Sequence, residues 1–501
     1  VRHGSGKKTI KARRHQENLN LPSFHKSVTN DGAHITELNM PKSKIVFATI
    51  GILFSLLASP FAARAAKLPN LVIILADDLG YGDLGCYGNP SIRTPNLDRM
   101  AAEGMRFTDF YVAATVCTPS RAALMTGRLP IRSGMAGSLN HRVLMGRSTG
   151  GLPDEEITMA QALKTNGYAT ACIGKWHLGH EPQFLPTKRG FDYFFGLRYS
   201  NDMEPAPGIP KNASMNLLPK KEWWNATLLQ NDKILEQPTD LGTLTRRYTA
   251  EAIRFIHENK KKPFFLYFPH TFPHVPLFAS KDFQKKSLRG LYGDVVEELD
   301  WSVGRILETL RQEKLADNTL VFFTSDNGPW LIKNLAGGSA GPLRDGKGST
   351  WEGGMREPGI AWWPGKIKSG MVNHGLASSM DLFPTYLKLA HVAIPSDRIM
   401  DGVDMAPMLF GQGQSQREVM FYYNGDELYA ARQGSFKAHF ITWTGYGKEP
   451  PQKHDVPLLF NLANDPGERF DLAREHPDVI AEIQREVEKY RASLVPGKPQ
   501  Y

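Results

Sequence analysis

Two pairs of acid and amide side chains stand directly after short apolar runs. Asp77-Asp78 follows Asn70-Leu-Val-Ile-Ile-Leu-Ala76, and Asp326-Asn327 closes the run that starts at Thr319. Both runs are continuous and rich in branched residues, the pattern of buried strands. In open α/β sheets, ligands bind outside the carboxyl ends of the strands. Three carboxylates and an amide oxygen converging there form a hard oxygen site, suited to Ca²⁺ or Mg²⁺ and not to zinc. Asp-Asp and Asp-Asn-Gly are also ordinary turn residues, and either pair alone reads more often as a loop.

Cys117 opens the segment Cys117-Thr-Pro-Ser-Arg121. A cysteine there reads as a buried structural thiol or as a thiolate nucleophile at a helix N-terminus. A thiol hydrolase has no need of Pro119 and Arg121 at those offsets. Lys175 and His177 follow an expected strand ending at Ile173, and His274 follows one ending at Phe268. Lys347 stands between two glycines. Each is an ordinary loop residue by itself. For Lys175, His177 and His274, the shared position just past a strand end raises them to candidates.

Such residues need a scaffold to bring them together. Helices are expected at 96–104, with Gly104 as the stop, and at 117–126, with Pro119 in the first turn. Others are expected at 157–166, 248–260, 292–314 and 382–390. The helix over 292–314 spaces Val295, Leu299, Val303, Ile306 and Leu310 as an apolar stripe. Strands are expected at 70–76, 168–173, 263–268 and 319–324. The alternation points to an α/β fold with helices flanking a large sheet. Beyond about Gly411, short strands at 419–423, 429–432, 436–442 and 458–461 precede a helix at 477–494. A large site-bearing domain is therefore expected over 67–411, and a small α+β domain of antiparallel strands and a helix over 412–501.

The 501 residues are 41% hydrophobic and 22% charged, which is ample for a large core. Residues 1–39 are basic and polar and read as an unstructured extension. Residues 40–66 pass from a basic start through an apolar stretch to Ala63-Arg-Ala65, the pattern of a secretory signal peptide. A membrane anchor fits less well, because Pro60 and small residues close the stretch. An exported protein, periplasmic or secreted, is expected. The formal net charge is +9, but leaving out the ten basic and three acidic residues before Lys67 brings it to +2. That balance gives no reason to expect a nucleic-acid partner. There are three cysteines, so at most one disulfide can form. With Cys117 committed to chemistry, only Cys86 and Cys172 remain to pair. Asn212-Ala-Ser214 and Asn225-Ala-Thr227 are glycosylation sequons.

Taken together the motifs resemble the sulfatases, above all the N-acetylgalactosamine-6-sulfatase and arylsulfatase A group. The similarity runs from about Pro69 to Pro496. It is carried by Ala76-Asp-Asp-Leu-Gly-Tyr-Gly-Asp-Leu-Gly85, by the Cys117 to Arg121 motif with Leu124-Met-Thr-Gly-Arg-Leu-Pro130, and by Gly174-Lys-Trp-His-Leu-Gly179. It continues in Phe323-Thr-Ser-Asp-Asn-Gly328, Trp351-Glu-Gly-Gly-Met-Arg-Glu-Pro358 and Asp465-Pro-Gly-Glu-Arg-Phe470. The low cysteine count departs from the animal lysosomal members and fits a bacterial exported enzyme better.

The resemblance implies an alkaline-phosphatase-like sandwich and a sulfuric ester hydrolase. It implies that Cys117 is oxidised to formylglycine by a maturation enzyme, whose hydrate is the nucleophile. Asp77, Asp78, Asp326 and Asn327, with the modified residue 117, would hold one divalent cation, Ca²⁺ with Mg²⁺ as the alternative. Arg121 would hold the hydrate, and Lys175 and Lys347 would contact sulfate oxygens. His274, with Lys347, would support the leaving alcohol. His177 would take the proton whose loss expels sulfate from the covalent sulfo-enzyme, and Ser200 matches a position near the site. The substrates implied are aryl sulfates or sulfated sugars, foremost 6-sulfated N-acetylgalactosamine or galactose units of glycans. Two alternatives remain: a phosphoesterase of the same superfamily, and an inactive relative that binds sulfated glycans. Specificity is expected from the loops 200–231 and 330–343.

Overall fold

The apolar run Asn70–Ala76 forms β1, a central strand buried along its whole length. This computed structural model describes residues 67–209, 216 and 218–501. The expected N-terminal extension, the signal peptide and the sequon at Asn212 lie outside them. The large sheet also contains β2 (Met105–Tyr111), β3 (Ala169–Ile173), β4 (Tyr193–Leu197), β5 (Leu228–Gln230) and β6 (Lys233–Glu236). Its other strands are β7 (Phe264–Pro269), β8 (Thr319–Ser325), β9 (Arg356–Trp362), β10 (Met371–Asn373) and β11 (Ala377–Ser378). The order is β10-β2-β9-β8-β1-β7-β3-β4-β5-β6, with β11 on β2. Strands β8, β1, β7, β3 and β4 run parallel. β9 is antiparallel to both β8 and β2, so β2 again points the same way as β1. Five neighbouring strands and β2 thus end on one edge of the sheet.

Alternate residues of β1 face opposite layers, as the period of a strand requires. Val72 and Ile74 join a core with α4 (Leu244–Asn259) and α5 (Leu291–Gln312), through Leu244, Tyr248, Leu299 and Val303. Leu71, Ile73 and Leu75 join the other core, with α2 (Cys117–Thr126), α3 (Met159–Lys164) and α6 (Leu382–Leu389). The predicted stripe of α5, Val295, Leu299, Val303, Ile306 and Leu310, is buried throughout. Each such side chain stabilises the fold by about 1.5–3 kcal/mol. The architecture is the α/β sandwich read from the sequence.

A second sheet, β12 (Val419–Asn424), β13 (Glu427–Gln433), β14 (Phe436–Thr442) and β15 (Gln452–Asn461), is an antiparallel meander. It carries α7 (Pro477–Ser493) on one face. The same apolar cluster holds Ala123 of α2, so this sheet also backs the helix that starts at Cys117. Buried charges join the two sheets further. The Lys437 ammonium lies 2.9 Å from Glu352 and 3.0 Å from Glu468, and His439 contacts Glu468 at 2.7 Å. Removing one partner from such a buried set costs about 3–5 kcal/mol, because it strands a charge.

Several elements depart from expectation. Strands β2, β4, β5, β6, β9, β10 and β11 were not foreseen. β9 contains Pro358 and Gly359, residues that disfavour strands. Its pairing with β2 is irregular between Phe107 and Phe110, and its pairing with β8 begins at Gly359. Pro358 therefore occupies a place where no ladder hydrogen bond is needed. Cys86 and Cys172 are unpaired. They pack into cores on opposite faces of the large sheet, which keeps them apart.

Gly104 does follow the first helix, α1 (Pro95–Glu103), but not in a left-handed conformation. Its requirement is space: an added Cβ would lie 2.1 Å from the Ala361 carbonyl oxygen on β9. Gly104→Ala is expected to destabilise the protein by about 1–3 kcal/mol. The check is a lower urea midpoint with an unchanged slope.

Candidate active site and metal centre

The ends of β1 and β8 are stitched together before any side chain is considered. The Asp326 N–H donates to the Ala76 carbonyl at 3.1 Å, and the Asp77 N–H to that of Phe272 at 3.2 Å. Asp78 turns back with φ of 65°, so that its own N–H reaches Asp326 Oδ1 at 3.2 Å. The Leu79 N–H donates to Ser325 Oγ at 3.0 Å. After β3 the chain passes over β7 at Gly174, where φ is 131° and an added Cβ would lie 1.7 Å from the Pro269 carbonyl. Only glycine permits that approach, and it delivers Lys175 and His177 to the same edge.

Arg121 ties these loops to α2. One turn after Cys117, its Nε donates to Asp326 Oδ2 at 2.8 Å and its Nη1 to the Lys175 carbonyl at 2.6 Å. Its Nη2 lies 3.5 Å from Asp77 Oδ2. The same Asp77 oxygen accepts from Lys175 Nζ. Lys347 Nζ spans both Asp78 oxygens, at 2.7 and 2.8 Å, and Asn327 Nδ2 donates to Asp78 Oδ1 at 2.7 Å. His274 Nε2 stands 3.8 Å from Asp78 Oδ2. Ligand atoms of Asp77, Cys117 and Asp326 lie within 4.8 Å of one another, as do those of Asp77, Asp78 and His274. All eleven residues singled out in the sequence are buried around this one place. Ser200 lines the adjoining cavity with its Oγ unpartnered.

Electrostatics follow from burial. Asp326 is pushed up to about 7, first by loss of water and then by the charge of Asp77. Asp77 is also raised by burial, but Lys175, His274, Arg121 and Lys347 outweigh that and hold it below the usual range. Asp77 Oδ1 and Asn327 Oδ1 are buried with no hydrogen-bond partner among the described residues. Orphaned oxygens beside clustered carboxylates are costly unless a cation accepts them. Apart from Cys117 and His274 the clustered donors are oxygens, which fits a hard divalent ion.

Burial pushes the Cys117 thiol up in spite of Lys175 and Lys347. An unmodified thiol here stays protonated, which argues against a thiolate nucleophile. His177 and His274 are both pushed well down by burial and are neutral. His177 Nε2 donates to the Leu144 carbonyl at 2.8 Å, which leaves Nδ1 unprotonated and unpartnered. His274 Nδ1 donates to the Val275 carbonyl at 2.6 Å.

The cavity at the cluster has a volume of about 470 Å³, within the range of small-molecule sites. Part of its wall comes from the loops expected to set specificity, and Arg142 and Tyr446 were not foreseen. Trp330 lies under the Lys347 ammonium, 4.3 Å from Nζ to the ring centroid, and 5.4 Å from the His274 ring. Tyr446 stacks beside it at 5.3 Å, from the loop joining β14 and β15. Asp202 and Arg142 line the same space. Trp330 and Asp202 belong to the expected specificity loops 330–343 and 200–231. Tyr446 had no local signal, since it arrives from the second sheet.

A family model described as Sulfatase matches residues 69–392, and one described as the C-terminal region of aryl-sulfatase matches 415–501. The N-acetylgalactosamine-6-sulfatase of Canis lupus familiaris is 45% identical over 468 residues, covering 88% of this chain and 89% of that protein. Arylsulfatase A of Homo sapiens is 43% identical over 463 residues, covering 86% and 89%. Among solved structures, that of Ps i-CgsB in complex with k-i-k-neocarrahexaose superposes with a TM-score of 0.74. It is 32% identical and covers 87% of this chain and 95% of that one. A divalent cation is expected to raise the melting temperature of the chelator-treated protein. Asn327→Ala, which removes an orphaned oxygen, is expected to lose most of that rise in a calorimetric scan.

Proposed function

The chain belongs to the sulfatase family and hydrolyses sulfate esters, and on that premise we propose that its substrates are glycans sulfated at O6 of N-acetylgalactosamine or galactose. The observation that carries the reading is Cys117 at the start of α2, enclosed by Asp77, Asp326, Arg121 and Lys175. Similarity to N-acetylgalactosamine-6-sulfatase across most of both chains supports the sugar. The Cys117 Sγ marks where the oxygens of a formylglycine at that position would stand. Its hydrate would supply one hydroxyl to attack sulfur and a second to expel sulfate, and Ca²⁺ would make that hydroxyl acidic and offset sulfate charge.

The protein's own residues do the rest. Asp77, Asp78, Asp326 and Asn327 would hold the cation, which would also satisfy the otherwise orphaned Asp77 Oδ1 and Asn327 Oδ1. Arg121 fixes two of the carboxylates and orients residue 117. Lys175 and Lys347 take sulfate oxygens as point charges in a site without bulk water, where they act most strongly. The free amides at the start of α2 add positive potential, since Val116 provides no side-chain cap. The Lys347 ammonium, stabilised by Asp78 and raised in pKa, keeps a proton to offer the leaving oxygen. His274 presents Nε2 beside it, and Ser200 presents an unpartnered hydroxyl. His177 Nδ1 is the free base that takes the proton at sulfate release.

The large site-bearing domain over 67–411 and the smaller one over 412–501 act together in this reading, because Tyr446 closes the cavity. Export with cleavage before Lys67 also belongs to the proposal. No helix among the described residues is long and apolar enough to cross a membrane.

The tryptic peptide 107–121 from protein of the native source is expected to be lighter than its cysteine form and to resist alkylation. An intact, alkylatable Cys117 in that protein would overturn the formylglycine mechanism. Lys347→Ala is expected to lower kcat by about 10²–10³. Sulfate release measured on 6-sulfated and 4-sulfated N-acetylgalactosamine should favour the former; the reverse order would reject the proposed position.

A further inference from the structure

One cation on the cavity wall has no part in these steps. The Arg142 guanidinium lies over two rings, 4.3 Å from the Trp443 centroid and 4.6 Å from that of Tyr446. Its Nε donates to the Leu139 carbonyl at 3.0 Å. Its Nη1 is buried and has no hydrogen-bond partner among the described residues. Burial pushes the group below its usual pKa, and the ionisable side chains that act on it are Tyr446 and Tyr429, with no carboxylate. A half-buried guanidinium whose Nη1 is shut away from water with no counter-charge is costly, and an apolar side chain would wedge between two rings without that cost. The arrangement makes sense when an oxyanion completes it, because a guanidinium pairs strongly and directionally with carboxylate or sulfate.

Position supports this. A Cβ added to Gly348, the neighbour of Lys347, would lie 3.1 Å from Arg142 Nη1, so the guanidinium sits one residue away from the catalytic lysine. His141 and Arg147 line the same cavity, and Lys333 stands over Trp330 at 4.2 Å. Among the described lining residues, Asp202 is the one carboxylate. The cavity carries more positive charge than a single sulfate ester would need.

We propose that Arg142 binds a second oxyanion of the substrate, a sulfate ester or a carboxylate on the sugar beside the one being desulfated. It thereby selects polyanionic glycans over singly sulfated ones. This rests on the glycan reading above.

The test is competition against hydrolysis of 4-nitrophenyl sulfate by the mature enzyme. The inhibitors are three disaccharides that share a 6-sulfated N-acetylgalactosamine. The neighbouring sugar carries no charge, a sulfate ester or a carboxylate. The wild type is expected to bind one or both dianionic probes about tenfold more tightly than the singly charged one. The tighter arm identifies the oxyanion. Arg142→Met is expected to bring the three within about twofold. A wild type without preference, or an Arg142→Met variant that keeps it, overturns the proposal. If Arg142 only props the Trp443 loop, the variant weakens all three probes alike, which also overturns it. Trp443→Ala, which frees the guanidinium without removing it, should keep part of the preference. Sulfate release from the same probes, measured in parallel, reports separately on the glycan reading.

Discussion

Asp77, Asp78 and Asp326 are held together away from water, where like charges repel and burial disfavours the ionised form. Arg121, Lys175 and Lys347 are the counter-charges that keep them there. Much of the surrounding structure serves this balance. Arg121 must emerge from α2 one turn after Cys117, and Gly174 must let the chain approach Pro269 so that Lys175 arrives from β3. Breaking one buried partner leaves the others uncompensated, a loss of about 3–5 kcal/mol. Under the proposed mechanism the same charges would be offered to an incoming sulfate, so stability and catalysis would draw on one set of side chains.

The sheet explains why these groups meet. Parallel strands β8, β1, β7 and β3 end on one edge, and each end releases a polar loop there. β9 reverses direction, which sets β2 parallel to β1 and brings the chain to Val116 and the start of α2 on that edge. The strands are buried on both faces, so their register is strongly specified and the loop positions follow from it. A site assembled this way is rigid at its base. The rest of its wall comes from the loops above, where the Arg142 and Trp330 segments lie.

The second sheet has two roles. It covers the outer face of α2 through Leu428, Ala431 and Ala438, and it sends Tyr446 over the cavity and Trp443 against Arg142. The buried Lys437, Glu352 and Glu468 group fixes how it meets the first sheet. Burial raises the Glu352 carboxyl, but Lys437, Arg356 and Arg432 outweigh that and hold it at about 2. The join therefore stays charged and directional across ordinary pH.

Local pattern alone determined the class of fold, the buried strands β1, β3, β7 and β8, and the amphipathic α5; it also marked Asp77, Asp78, Asp326, Asn327 and Cys117 as candidates, which the fold brings together. Those signals are short-range: apolar runs, helical spacing, and polar residues placed just past strand ends. Tertiary structure alone decided the rest. β9 became a strand despite Pro358, because the irregular pairing with β2 spares the missing N–H. Glycine is needed at 104, after α1, because Ala361 leaves no room for a side chain, not because of a left-handed φ. Cys86 and Cys172 stay apart because a sheet lies between them. Trp443 and Tyr446 meet Arg142 from some 300 residues further along the chain. The protonation of His177 depends on the Leu144 carbonyl. In each case the deciding neighbour is distant in sequence, so its effect on space, charge or hydrogen bonding exists only once the chain has folded.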